Sequence, residues 1–242
     1  MTAVSTPRDT QCQYNHKTRP QRQIVQKSKG EMDMIRGFDV SQAQGYLDAD
    51  FWQAAADSGC KFVYVRCSWG NGHEDTQFRH NVQMAHEYGI KVGAYHYDYS
   101  LTPDVTADHA RKCAAIIADA GVLLELPVFF DLEDADQWKE RNGYDFTGET
   151  ATAQCQAWID NIGLETGVYA SYGWLEDRVS DRWGNGGSTP IDWRALNCSV
   201  WNAEWGDVDD IKAFVWQDTD KLPIGGQLID GDYMYADNLF DD

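Results

Sequence analysis

Two carboxylates two residues apart, Asp131 and Glu133, close the run Leu126-Pro-Val-Phe-Phe-Asp-Leu-Glu133. Side chains at i and i+2 of a β-strand share a face, so the two acids would stand on one side, about 7 Å apart along the strand. A carboxyl group crowded by another and by apolar walls holds its proton to higher pH. That is what a general acid needs to protonate a glycosidic oxygen near neutrality. A plainer reading makes Asp131, Glu133, Asp134 and Asp136 a solvated acidic turn. It is weakened by the five apolar residues that deliver the first two acids, and by Asp39 and Asp230 closing other apolar runs. A divalent metal held by these carboxylates and His96 is a further alternative. No HxH or HExxH pattern supports it, so no metal or cofactor is expected.

Positioning such a pair calls for a rigid frame, and the chain supplies a repeating one. Short runs rich in β-branched and aromatic residues read as strands over 35–40, 62–67, 91–97, 126–132, 167–171, 198–203, 213–217 and 227–230. Helical patterns lie between them at 51–58, after a cap at Asp50, and at 76–88, 104–120, 150–162 and 174–179. The first four stop at Gly59, Gly89, Gly121 and Gly163, the expected left-handed ends. Strand–helix alternation predicts a parallel sheet covered by helices. The segments after Ala203 and Gln217 are too short for full crossover helices, so short loops, some of them antiparallel, should join the last strands. The expectation is a single α/β domain, an irregular TIM-like (β/α)5β3 barrel over residues 35–242.

Barrel active sites lie at the C-terminal ends of the strands, and the unusual polar residues fall there. Asp39 ends the first strand, His96 and Tyr97 the third, Asp131 and Glu133 the fourth. Tyr169 and Ser171 end the fifth, Trp201 and Asn202 the sixth, Trp216 and Gln217 the seventh, and Asp230 the eighth.

Composition limits the partners. The 242 residues hold 20 Lys/Arg against 39 Asp/Glu, a net charge of −19. A field of that sign repels phosphate backbones, so nucleic acid is excluded as a partner. No apolar run is long enough to cross a bilayer, so no membrane insertion is expected. The 10 Trp, 12 Tyr and 9 Phe suit either a packed core or the apolar faces of sugar rings. Six cysteines without a CxxC spacing read as small buried apolar residues. Residues 1–34 differ from the rest, with six Lys/Arg against three Asp/Glu and little apolar content, and read as a basic, disordered leader. The leader lacks the continuous apolar stretch of a signal peptide. Oligomeric state is not legible.

At this point the chain resembles a known family. Gly37-Phe-Asp-Val-Ser-Gln-Ala-Gln-Gly45 is similar to the GxDVSxxQG opening of the glycoside hydrolase family 25 muramidases, the Chalaropsis-type and phage-type lysozymes. The resemblance continues through Phe62-Val-Tyr-Val-Arg66, Asp75 to Asn81 with Phe78, Gly93-Ala-Tyr-His-Tyr97, Pro127 to Glu133 and Gly167-Val-Tyr-Ala-Ser171. It ends with Trp201-Asn-Ala, Trp216-Gln217 and Ile229-Asp-Gly-Asp232. It implies a (β/α)5β3 barrel that hydrolyses the β-1,4 bond between N-acetylmuramic acid and N-acetylglucosamine in bacterial cell-wall peptidoglycan. Carried over residue by residue, it makes Glu133 the general acid and gives Asp131 the developing positive charge or the substrate's acetamido group. Asp39 and Asp230 would complete the carboxylate set, and Tyr95, His96, Tyr97, Tyr169, Trp201 and Gln217 would line the sugar groove.

The acetamido group is the favoured nucleophile, with net retention, as in the family 18 chitinases that share an Asp-x-Glu pair; their longer upstream acidic motif is absent here. The closing motif departs from the common VDxN, since Asp232 stands at the Asn position and changes the local proton balance. Many relatives carry wall-binding repeats after the barrel, and none precedes Asp242. Action on the wall outside the cell without a signal peptide implies release by a phage holin or a non-classical route. Two competing functions remain: a catalytically silent glycan-binding barrel, and a chitinase-like N-acetylhexosamine hydrolase.

Overall fold

Side-chain alternation along the strands sorts the large apolar residues into two sets, one inside a closed barrel and one between the barrel and its helices. The computed structural model describes residues 34–235. The leader assigned to residues 1–34 therefore lies outside the described residues, except for Met34, which already belongs to the first strand.

Element order is β1 (Met34–Val40), α1 (Ala49–Asp57), β2 (Phe62–Trp69), β3 (His73–Glu74), α2 (Phe78–Glu87), β4 (Lys91–Tyr97) and α3 (Pro103–Ala120). Then come β5 (Val128–Asp131), α4 (Trp138–Arg141), α5 (Gly148–Ile162), β6 (Thr166–Ser171), α6 (Tyr172–Glu176), β7 (Ser199–Ala203), β8 (Val215–Ile224) and β9 (Gln227–Tyr235). The sheet runs β1-β9-β8-β7-β6-β5-β4-β2-β3, and a β1–β2 pairing closes eight of these strands into a barrel, with β3 left as a short flap on β2. Five strand–helix units followed by three strands give the expected (β/α)5β3 architecture.

Local chemistry explains the boundaries. Thr102 caps α3, Pro103 opens it, and Gly121 ends it at φ 62°, a left-handed position that glycine takes without a Cβ penalty. The cap of α1 is Asp48, not Asp50: its carboxylate accepts the Phe51 N–H at 3.1 Å, and Asp50 falls inside the first turn. The helix expected over 174–179 is instead α6, capped by Ser171 directly at the end of β6.

The last strands turn on two different connections. Gly225 and Gly226, both at positive φ, make the tight β8–β9 hairpin. By contrast, β7 and β8 pair in parallel across residues 204–214 without a helix. That stretch is tied by Asp209, which accepts the Ile211 and Ala213 N–H groups at 3.3 and 3.0 Å.

Inside the barrel Phe62, Tyr64, Tyr95, Phe129, Tyr169, Trp201, Val215 and Met234 form one buried cluster. Trp201 is its hub, with ring centroids 4.7 Å from Tyr64, 4.9 Å from Tyr169 and 5.5 Å from Phe129. Outside, Phe38, Val40, Val65, Val92, Phe130 and Val168 pack with the helices.

The ring-filled interior needs gaps in the neighbouring strands. At Gly93 an added Cβ would lie 2.1 Å from the Tyr64 ring. Gly93→Ala must therefore displace a fully buried aromatic ring, and should cost about 1–3 kcal/mol of stability. A thermal melt of this variant that matches the wild type would show that the ring is not held in place.

Candidate active site

The carboxylates meet at one end of the barrel because inward-facing positions of several strands reach it together. Asp131 is the last residue of β5. The chain stays extended beyond it, since the Leu132 N–H donates to the Tyr169 carbonyl at 3.0 Å. Leu132 therefore turns outward into the apolar layer, and Glu133 returns to the side of Asp131. Asp39 and Asp230 are direct partners across the antiparallel β1–β9 pair. Asp230 reaches the mouth from the first half of its strand, because β9 runs against its neighbours.

These groups enclose a cavity of about 200 Å³ lined by Asp39, Asp131, Glu133, Asp230, Tyr95, Tyr97, Tyr169, Trp201 and Gln217, together with Ser41, Ala43, Gln44 and Arg66. Nine of the ten residues that the family resemblance assigns to the site thus come together, whereas Ser171, Asn202 and Trp216, also at strand ends, do not line it. The tenth, His96, does not. It lies between inward-facing Tyr95 and Tyr97, so strand alternation turns it to the outer face of β4. There its ring stacks on Trp158 at 5.4 Å, and its Nδ1 lies 2.8 Å from the Ser68 hydroxyl. Burial holds its pKa down, to about 3, so it is a neutral packing residue rather than part of the groove.

Hydrogen bonds order the cavity. Gln217 donates to Asp39 at 2.9 Å and accepts from the Tyr169 hydroxyl at 3.1 Å. Beneath them Trp201 Nε1 donates to Asp232 at 2.9 Å. One Asp131 oxygen and one Asp232 oxygen are buried without a partner. Arg66, Asp75, Ser41 and Gln44 were not singled out as site residues by sequence reasoning. Arg66 is, like Arg36, a cation inside an apolar strand run, which is a usable signal. It donates to Asp75 at 2.8 Å, and Asp75 also accepts the Gln42 N–H at 3.0 Å, locking the loop after β1 to the mouth.

Proton affinities follow from this crowding. Burial first, then the Glu133 and Asp39 charges, pushes the Asp131 carboxyl well above the usual range. Burial and the Asp230 charge do the same to Asp39, against the pull of Gln217 and Arg66. Burial followed by the Asp230 charge raises Glu133 to about 7. Asp232 is also raised, by burial and by Asp39. The site can therefore hold a proton on Glu133 near neutrality and release it at slightly higher pH.

Among the described residues one set could chelate a metal ion: His96, Asp98 and His109, with ligand atoms within 4.8 Å of one another. Asp98 is already saturated. It accepts from Lys139 Nζ at 3.1 Å, Ser100 Oγ at 2.6 Å and the Ser100 N–H at 3.0 Å, and lies 2.9 Å from His109 Nδ1. The buried Lys139 ammonium supplies the positive charge that a metal would bring, so the set fits a structural ion pair better than a metal centre. The five cysteines within the described residues are free thiols, four of them buried.

A carboxyl whose pKa is raised on folding contributes stability below its unfolded value and loses it as pH rises through the folded one. For Glu133 that window runs from 4.5 to about 7. Glu133→Gln should therefore match the wild type in Tm near pH 4 and exceed it by roughly 2–4 °C at pH 8, allowing for partial solvent screening. Equal melting temperatures at both pH values would contradict the raised pKa.

Comparison with known proteins bears on the same span. The model of glycosyl hydrolases family 25 matches residues 38–226. Lysozyme M1 of Streptomyces globisporus is 33% identical over 63 residues, 26% of this chain and 20% of its own length. The autolytic lysozyme of Clostridium acetobutylicum is 29% identical over 75 residues, 31% and 22%. The chain thus matches about a fifth of the length of these two relatives. The N,O-diacetylmuramidase of Arthroderma benhamiae is 25% identical over 150 residues, 59% of this chain and 60% of that protein. Among solved structures, the lysozyme of Streptomyces coelicolor aligns with a TM-score of 0.60 at 21% identity, covering 85% of this chain and 94% of the other. The modular autolysin LytC of Streptococcus pneumoniae aligns at 0.68 with 19% identity, covering 84% and 47%. These structures share the barrel fold. With the family match extending over more than half of the sequence and through the acid-lined mouth, the chain belongs to glycosyl hydrolases family 25.

Proposed function

We propose that the protein is a lysozyme, an N-acetylmuramidase that hydrolyses the β-1,4 bond between N-acetylmuramic acid and N-acetylglucosamine in bacterial peptidoglycan. One observation carries the reading: at the barrel mouth a carboxyl group with a pKa near 7, Glu133, stands beside Asp131, which has a buried unpartnered oxygen. The lysozymes and the muramidase among its relatives support the substrate class. So does the S. pneumoniae autolysin structure, solved with a synthetic peptidoglycan ligand.

The chemistry assigned to these groups is as follows. Glu133 gives its proton to the glycosidic oxygen as the C1–O bond breaks. The carbonyl oxygen of the substrate's own 2-acetamido group bonds to C1 from the opposite face. Its N–H, which becomes more acidic as positive charge spreads onto it, donates to the free oxygen of Asp131. Glu133, now ionised, takes a proton from water as that water opens the ring-fused intermediate, and the anomeric configuration is retained. Arg66 opposes the rise in proton affinity of Asp39 and Asp131, although burial remains the larger cause in both. Tyr95, Tyr97, Tyr169 and Trp201 give the sugar apolar faces, and Gln217 holds Asp39. The proposed place of action is the wall, outside the cell membrane.

A digest of purified peptidoglycan, reduced with borohydride and read by mass spectrometry, tests the proposal. Wild type should generate reduced muramic acid ends, and Glu133→Gln should lower kcat by about 10²–10⁴-fold. Reduced glucosamine ends would keep a hydrolase and move the cleaved bond. No new ends, with retained binding to the wall, would leave a silent glycan-binding barrel.

The pH profile is a separate check. Since Glu133 must be protonated, kcat/KM should fall on the alkaline side with a midpoint near pH 7, and activity should peak on the acidic side of neutrality. A flat profile to pH 9 would remove Glu133 from the role of acid.

A further inference from the structure

A second cavity is wider than the acid-lined one. It measures about 690 Å³ and lies next to it, between the end of β2, the β4–α3 loop, α3 and the start of α4. Three half-buried aromatic rings from three chain segments wall it: Trp69, Tyr99 and Trp138. They form a connected series. Tyr99 is 6.2 Å from Trp69 and 5.1 Å from Trp138 between ring centroids, and 5.2 Å from Tyr97. Tyr97 itself lines the acid cavity. The rings are braced, since Trp69 stacks on His73 at 4.5 Å and the Tyr99 hydroxyl donates to Asp136 at 2.6 Å.

The rim is polar but electrically balanced. Lys112 pairs with Asp108 at 2.6 Å and also donates to Asn71. In a chain of net charge −19, such a place neither attracts nor repels a neutral ligand. Flat apolar walls fit the C–H faces of a pyranose, and the amide, imidazole and ammonium of the rim fit its hydroxyl and acetamido groups. The volume falls within the range of about 300–1,000 Å³ of small-molecule sites.

We propose that this aromatic groove is a distal glycan subsite, holding an uncharged N-acetylhexosamine unit of the same strand whose scissile bond lies over Glu133. The proposal rests on the muramidase reading for the identity of the strand. Continuity through Tyr97 and Tyr99 makes the groove an extension of the cleft, and its role is to bind long strands more tightly than short fragments. It contributes to binding before and during the reaction alike, so its loss appears in KM rather than in kcat.

The test compares wild type, Trp69→Ala, Trp138→Ala and the conservative Trp69→Phe on peptide-free muroglycan strands and on the shortest cleavable oligosaccharide. The expected result is a rise in KM of about tenfold on long strands in each Ala variant, of the size that loss of an aromatic contact produces. kcat, Tm and activity on the short substrate should not change, and Phe should restore most of the loss. Unchanged KM on long strands, or an equal loss on the short substrate, would overturn the subsite and leave the muramidase reading intact. Should the wild type cleave no strand, that reading fails by itself. The groove is then judged by isothermal titration with the hexamer of β-1,4-linked N-acetylglucosamine, in which equal affinity of wild type and Trp138→Ala overturns it.

Discussion

Everything at the barrel mouth depends on the cost of holding several carboxyl groups together in a place that water reaches poorly. Asp39, Asp131, Glu133, Asp230 and Asp232 all have raised proton affinities, and burial is the largest cause in each. Ionising all five would be unfavourable, so the cluster shares protons, and the sharing creates a donor that is active near neutrality. The aromatic floor formed by Trp201, Tyr64 and Phe129 supplies the low-polarity wall that keeps the effect large. The Trp201 indole N–H binds one oxygen of Asp232, the deepest acid. The raised proton affinity of Glu133 and the loss of stability at alkaline pH thus have one origin.

Opposing charge is supplied sparingly. Arg66 reaches the cluster from β2 but is bound to Asp75, so it moderates the acids without forming a salt bridge that would pin any of them in the ionised state. Because Asp75 also accepts the Gln42 N–H, the same contact orders the loop carrying Ser41 and Gln44 at the cavity edge. A charge placed to tune proton affinity therefore also shapes the site.

Much of this was legible in the sequence because β-structure has a period of two and barrels gather function at one end. That rule placed Asp131 with Glu133, and Asp39 with Asp230. His96 shows where it needs care: the residue ends a strand, yet Tyr95 and Tyr97 hold the inward positions, and parity alone assigns His96 to the helix-facing side. The direction of the last strand was also open to reading, since Gly225-Gly226 between two apolar runs is a hairpin signal. The parallel β7–β8 pairing was not. It depends on the Asp209 carboxylate organising an irregular connection, and no local periodicity announces that. Arg66 and Asp75 make a tertiary contact, visible only once β2 and α2 are placed.

The outer face of β4 has its own part in positioning the acid. Lys139, fully buried at the start of α4, donates to the Asp98 carboxylate at the end of that strand. The Lys139 and Glu140 N–H groups in turn bind the two oxygens of Asp134, at 2.7 and 3.1 Å. Asp134 directly follows Glu133, while the Asp98 N–H donates to the carbonyl of Asp131 at 3.1 Å. The short segment bearing the proton donor is thereby tied at both ends to one buried ion pair. Such a pair is a poor source of net stability when weighed against an apolar substitute. Its effect is positional: an ammonium that cannot leave Asp98 without an uncompensated buried charge holds α4 against β4. With α4 fixed, Glu133 stays over the acid-lined cavity on the inner side of the barrel.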